Sequence, residues 1–265
     1  MLAMICLIMT LPRDARRRKE IASMIRKIKK NLVILQRRRP FSPQITAYLE
    51  SVEQLDWLYL NLKLDGSPLT KEQVQGILGG DCVSHASIRE HLLISRLDEA
   101  RKRLYDAAAA RMPIGPELIM GLAGVLAGAD PGSGLLRKTT PHLVEYGYTP
   151  PLPSELPEKL DAYVAFAKHK KDFEDPFDKA VRLHFHMIEL YPFRENNLFL
   201  ARLLMEYHLL REGFPFSVFD TDERTYNSAV SAWLKKRECG MAETALKSAC
   251  LARTEFMMRL TAYEN

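Results

Sequence analysis

Apolar residues recur at three- and four-residue steps along most of the chain. From Ile21 to Gln36 the repeat runs through Ile21, Met24, Ile25, Ile28, Leu32 and Leu35 with basic residues between them. That spacing gives an α-helix one buried stripe. Thr46 to Leu64 continues the pattern and is closed by Asp65-Gly66-Ser67-Pro68, a helix-stopping sequence. Thr70, with Gln73 three residues on, predicts an N-cap and capping box for the next helix. Further helices are predicted over Ser87 to Arg111, Gly115 to Leu126, Ser154 to Ala167, Pro176 to Leu190, Asn197 to Arg211 and Asp222 to Arg237, and then to the end.

The period fails at Asp130-Pro131-Gly132-Ser133-Gly134. The stretch from there to Pro153 holds several Thr, Tyr and Pro residues and is the one place for strands, as a short hairpin. The pattern therefore predicts an all-α protein with one small β element and no internal repeat. Its expected parts are a basic N-terminal segment (1–40), a helical region (41–130) and a core with C-terminal helices (131–265).

Composition is that of an ordinary globular chain, 47% hydrophobic and 27% charged over 265 residues, which excludes disorder as the main state. No run of apolar residues reaches the roughly 18 that a membrane span requires. The four cysteines, Cys6, Cys82, Cys239 and Cys250, are scattered without a C-x-x-C pair, which predicts free thiols in a reducing cytoplasm. The opening Met1 to Leu11 is apolar but lacks the basic flank and cleavage site of a secretory signal. A start at Met4 or Met9 suits the sequence equally well.

Net charge redraws this picture. Between Pro12 and Pro40 stand twelve Arg and Lys (Arg13, Arg16 to Lys19, Arg26, Lys27, Lys29, Lys30, Arg37 to Arg39) against Asp14 and Glu20. The segment carries +10, so the rest of the +5 chain is mildly acidic. Residues 13–39 could meet nucleic acid or anionic lipid; a solvated helix face is the commoner meaning of such a run.

One stretch concentrates polar residues between two helices: Tyr191-Pro192-Phe193, then Arg194, Glu195, Asn196 and Asn197. A loop that feeds a helix N-terminus offers free backbone N–H groups to an anion. Here the sequence resembles the Fic family, whose signature is H-P-F-x-[DE]-G-N-[GK]-R-x-x-R; residues 191–202 read Y-P-F-R-E-N-N-L-F-L-A-R. The flanks resemble the family too: GLLRKTT (134–140) and YTPPLPSEL (148–156) upstream, LLREGFP (209–215) and Glu223-Arg224-x-Tyr226 downstream. LNLKLDGSPLTKEQV (60–74) is similar to the inhibitory helix of members that carry one before the Fic core.

The resemblance implies a helical Fic fold with a small β-hairpin flap, and AMP transfer from ATP to protein hydroxyls as the ancestral chemistry. It also implies what has been lost. Tyr191 stands at the position of the family's histidine base, and a phenol, with pKa near 10, is protonated at neutral pH. His184, on the preceding helix, is expected in a core or capping role rather than as a relocated base. Asn196 and Leu198 replace two glycines, which puts β-carbons where the phosphates would approach, and Phe199 replaces an arginine clamp. What remains is Glu195 at the metal position, with Asn197 and Arg202 at nucleotide-binding positions. Asp65, with Gly66 beside it, sits at the regulatory position expected to form an ion pair with Arg202.

On this reading the chain is a catalytically inactive pseudoenzyme of cytoplasmic location that serves as a binding or regulatory module, with Mg-ATP bound weakly or not at all. Its expected protein-docking surface is the flap, at Lys138, Thr139, Thr140 and Tyr148. The alternative is a nucleotide-dependent transferase of altered chemistry using Glu195 and Mg²⁺, with Tyr191 as acid or acceptor. A homodimer is compatible with either.

Overall fold

The computed structural model describes residues 13–130, 135–169, 173 and 175–262, with side chains from residue 21 onward. The apolar opening 1–11, the side chains of the basic run through Lys19, and the predicted break at 131–134 lie outside the described residues. Ten α-helices follow in order among the described residues: α1 (Arg13–Arg37), α2 (Pro43–Leu64), α3 (Lys71–Leu78), α4 (Ile88–Ala109), α5 (Pro116–Ala127), α6 (Leu156–Lys168), α7 (Pro176–Leu190), α8 (Asn197–Arg211), α9 (Glu223–Lys236) and α10 (Gly240–Leu260). No described helix is long and apolar enough to cross a membrane.

Local chemistry sets most of these limits. Thr70 accepts from the Gln73 N–H while the Gln73 side chain reaches back to the cap, so the capping box forms as the sequence predicts. Ser87 and Glu90 form a second box at the start of α4. Asp175 accepts from Phe177 and Asp178 at the start of α7, and Asp222 from Thr225 at the start of α9.

Helices α7 and α8 pack on each other at the centre. Helix α8 is buried on almost every side, from Asn197 to Leu209, as befits a helix with no solvent face. Around this pair one core takes in Trp57 and Leu58 of α2, Leu97 and Leu104 of α4, Leu122 of α5 and Trp233 of α9. Basic helix α1 lies along α10 at the periphery. Asn31 Nδ2 donates to Thr254 Oγ1 at 3.2 Å and Arg38 Nη1 to the Met258 carbonyl at 2.8 Å. Leu35, Leu49 and Met257 close a small separate core there.

The predicted hairpin is reduced to less than strands. Among the described residues the flap region pairs with itself at one isolated antiparallel bridge, Leu143 with Tyr148, around the 3₁₀ turn Val144–Tyr146. Four residues separate the bridged pair, and three of them are in the 3₁₀ turn. Side chains do the fastening instead: the Tyr146 hydroxyl donates to Asn227 Oδ1 at 3.0 Å and the Tyr148 hydroxyl to the Glu189 carbonyl at 3.1 Å.

Candidate functional site

Helix α7 ends at Tyr191 because Pro192 disfavours helical backbone in the residue before it. Tyr191 takes a left-handed conformation (φ 43°, ψ 53°) and donates its N–H to the Met187 carbonyl. The loop 191–196 then delivers the chain to α8. Asn197, the first residue of α8, is buried, and its amide is spent on the loop: Phe193 N–H donates to its Oδ1 and its Nδ2 donates to the Phe193 carbonyl, each at 2.9 Å. Asn196 takes the left-handed backbone (φ 61°) that glycine adopts most readily. Asparagine tolerates it, and its Nδ2 is fixed to the Leu126 carbonyl of α5 at 3.0 Å.

A buried arginine grips the loop from the flap side. Arg137 Nε donates to the Tyr191 carbonyl at 2.7 Å, Nη1 to Thr139 at 3.1 Å, and Nη2 to Pro151 and, at 3.5 Å, Leu190. Its own N–H bonds the Pro192 carbonyl at 3.0 Å, beside an isolated bridge between Leu136 and Phe193. Two of these carbonyls are the orphans at the C-terminus of α7, where a cation also meets the negative end of the helix dipole.

The remaining sequence-predicted residues divide into two groups. Arg202 and Asp65 meet directly. The Arg202 side chain has no exposed area; Nη2 donates to Asp65 Oδ1 at 2.7 Å, Nε to Asn61 Oδ1 at 2.7 Å, and Nη2 also approaches the Asn61 carbonyl at 3.4 Å. The ion pair expected from the sequence forms without a bridging group, although aspartate is one methylene shorter than glutamate. The guanidinium lies 4.8 Å from the centroid of the Phe199 ring and 5.3 Å from that of Tyr226. Phe199, which the resemblance aligns with an arginine position, thus contacts Arg202. Burial opposes the charge on Arg202, and Asp65 and Tyr226 beside it outweigh that, so its pKa is raised.

The Asp65-Gly66 turn is pressed under the start of α9. Gly66 has φ +74°, and a β-carbon there would lie 2.8 Å from a Glu223 carboxylate oxygen. Glu195 stands apart from this cluster: it is exposed, and Arg89 Nη2 lies 3.9 Å from it. Tyr191 is half-buried. Burial raises its phenol above the usual value; a hydrogen bond from Asn197 works against this and the Asp65 charge adds to it. It is therefore a weaker acid than free tyrosine, and no base at neutral pH.

His184 lies fully buried behind Arg202, with Nε2 at 3.1 Å from the Tyr226 hydroxyl. Burial, helped by the charge of Arg202, pushes its pKa down to about 3, so the imidazole is neutral. Sequence reasoning missed Glu206, one helical turn beyond Arg202. It is buried, accepts from the Trp57 indole N–H, and its other oxygen has no partner among the described residues. Burial raises its pKa well above the carboxylate range. No spacing rule links Trp57 to Glu206, 149 residues away.

Glu206 gives a pH prediction with a definite sign. A group whose folded pKa is raised keeps its proton in the folded chain after the unfolded chain has lost it. Its stability contribution is full below pH 4.5 and falls as pH rises through the folded pKa. Glu206→Gln removes that penalty, so the variant should gain stability over the parent at pH 8 relative to pH 5. Urea denaturation of both proteins at the two pH values checks this; equal differences at both would refute it. His184 acts oppositely: its folded pKa is depressed, so its contribution is full above pH 6.5 and is lost as pH falls towards about 3.

A helical core whose two central helices are joined by this loop, with the Arg137 segment holding it and the Asp65 turn on the second helix, defines a Fic-domain protein. Residues 116–209 match the Fic/DOC family. The chain is 27% identical over 174 residues to Protein adenylyltransferase fic-1 of Caenorhabditis elegans, covering 63% of this chain and 34% of that protein. Against Protein adenylyltransferase Fic of Drosophila grimshawi it is 26% identical over 172 residues, covering 63% and 35%. The chain spans about a third of the length of these curated relatives.

Among solved structures, a Fic domain containing signaling protein from Bacteroides thetaiotaomicron superposes with TM-score 0.75 at 18% identity, over 90% of this chain and 99% of that one. Fic-1 from C. elegans superposes with TM-score 0.73 at 21% identity, over 90% and 71%. At these identities the likeness is one of fold.

Proposed function

We propose that this protein is a Fic-fold pseudoenzyme: a binding or regulatory module, its nucleotide site closed by its own side chains and inactive in AMP transfer. The observation that carries this reading is the state of Arg202. Its guanidinium is fully buried, its Nε and Nη2 are bonded to Asn61 and Asp65, and the Phe199 and Tyr226 rings lie against it. A phosphate would have to displace the Asp65 carboxylate from a guanidinium that has no exposed area. The residues present do not fit a nucleoside triphosphate: this arginine is fully buried with Nε and Nη2 bonded and only Nη1 without a partner among the described residues, Phe199 replaces the other, and Leu198 brings bulk to the start of α8.

Tyr191 supports the same reading, because a phenol raised above its usual pKa cannot deprotonate a hydroxyl. Loss of a positioned base costs about 100- to 10,000-fold by itself. The flap is the proposed partner surface. Its base is anchored by Arg137 and by Tyr146 on Asn227, while Lys138 and Thr139 are exposed and Val144 is 81% exposed. A target segment could lie along that edge by backbone pairing.

A second reading has one observation in its favour. Glu195 is exposed and paired only loosely, so its carboxylate is available to a hard cation such as Mg²⁺. A transferase of altered chemistry would build on it. A thermal-shift titration with Mg-ATP, Mg-ADP and Mg-GTP up to millimolar concentration separates the two. A ligand bound only by the folded state must raise the melting temperature. We expect no shift; a metal-dependent rise with any of the three would overturn the closed-site reading.

A further inference from the structure

We propose that the outer face of α1 is a docking surface for an anionic lipid bilayer. The inner face of this helix is occupied: Ile28 and Leu35 are buried, and Asn31 and Arg38 bond to α10. Facing outward are Arg26, Lys27, Lys29, Lys30 and Arg37, all exposed, and none of the five has an ion-pair partner among the described residues. At 100° per residue, Arg26, Lys30, Val33 and Arg37 fall along one line of the helix. The helix spans about 37 Å, long enough for these charges to meet a plane together.

Two observations favour a bilayer over nucleic acid. The face belongs to a single helix at the periphery, and α1 contains no aromatic residue on which bases could stack. Val33, in the middle of the cations, is 54% exposed, which suits the boundary between headgroups and acyl chains. The inner face of α1 is covered by α10, so α1 itself would contribute through charge, worth about 1 kcal/mol per Lys or Arg near the surface.

The test is co-sedimentation of the full chain with phosphatidylcholine vesicles, with and without phosphatidylglycerol, at low and high salt. We expect retention on the anionic vesicles alone, weakened by salt. The triple variant Arg26→Glu/Lys29→Glu/Lys30→Glu should bind them at least about 100-fold more weakly with an unchanged melting temperature, since all three side chains are exposed. Equal retention on neutral vesicles, triple-variant retention equal to the parent's, or tighter binding to a DNA duplex than to anionic vesicles would each overturn the proposal.

Discussion

Asp65→Ala is expected to destabilise the protein by about 3 kcal/mol, near the low end for removing one partner of a buried ion pair. The cost arises at Arg202, which would keep its charge in a site without solvent after losing its counter-ion. Asp65 is itself 25% exposed, so water can reach its side of the gap and holds the loss to that level. Asp65→Asn keeps an acceptor for Nη2 without the charge and should fall between variant and parent. Urea denaturation measures both. If Asp65→Ala unfolds at the same midpoint as the parent, the pair contributes nothing to stability and the closed-site reading loses its main support. The Mg-ATP titration repeated on this variant asks whether freeing Arg202 opens a phosphate site; Phe199 lying against the guanidinium leads us to expect that it does not.

Arg137→Ala should be as damaging, by a different route. Among the described residues Arg137 has no ion-pair partner; it satisfies four carbonyls, two of them at the end of α7. Its removal leaves those oxygens in a buried place, at a cost of about 1–3 kcal/mol for each that water cannot reach. We expect a total of roughly 3–4 kcal/mol after partial hydration. A local signature should accompany it: faster hydrogen exchange through residues 135–151 and the loop 191–196, with α1 and α10 unaffected. Arg137→Lys should recover only part of the loss, because one ammonium cannot reproduce a planar fork of donors. Uniform acceleration of exchange throughout the chain would show instead that Arg137 supports the whole fold and not this loop.

The helical order and most helix ends were legible before any coordinates. The Thr70–Gln73 capping box, the α7 stop at Tyr191-Pro192 and the start of α8 at Asn197 all came out where the residues place them. The Asp65–Arg202 contact was legible only through the family resemblance, because no pattern of spacing pairs residues 137 apart. The hairpin was misjudged for an identifiable reason. Thr, Tyr and Pro in 135–153 signal extended chain, but the flap is secured by side chains reaching other elements, Tyr146 to α9 and Tyr148 to α7, so few backbone pairs form.

Phe199 marks the boundary between what the two levels decide. The resemblance aligned Phe199 with an arginine position; it could not determine that this ring would lie against the guanidinium of Arg202. Glu206 is similar, an ordinary helix-surface residue by composition and a buried, proton-retaining carboxyl in the fold. The physical reason is one of range. Helices and their caps are set by hydrogen bonds and side-chain spacing within about four residues, so they are written locally in the sequence. The solvation of Arg202, Glu206 and His184 is set by which faces of α2, α7, α8 and α9 are packed together, and on that solvation both their protonation and the state of the site depend.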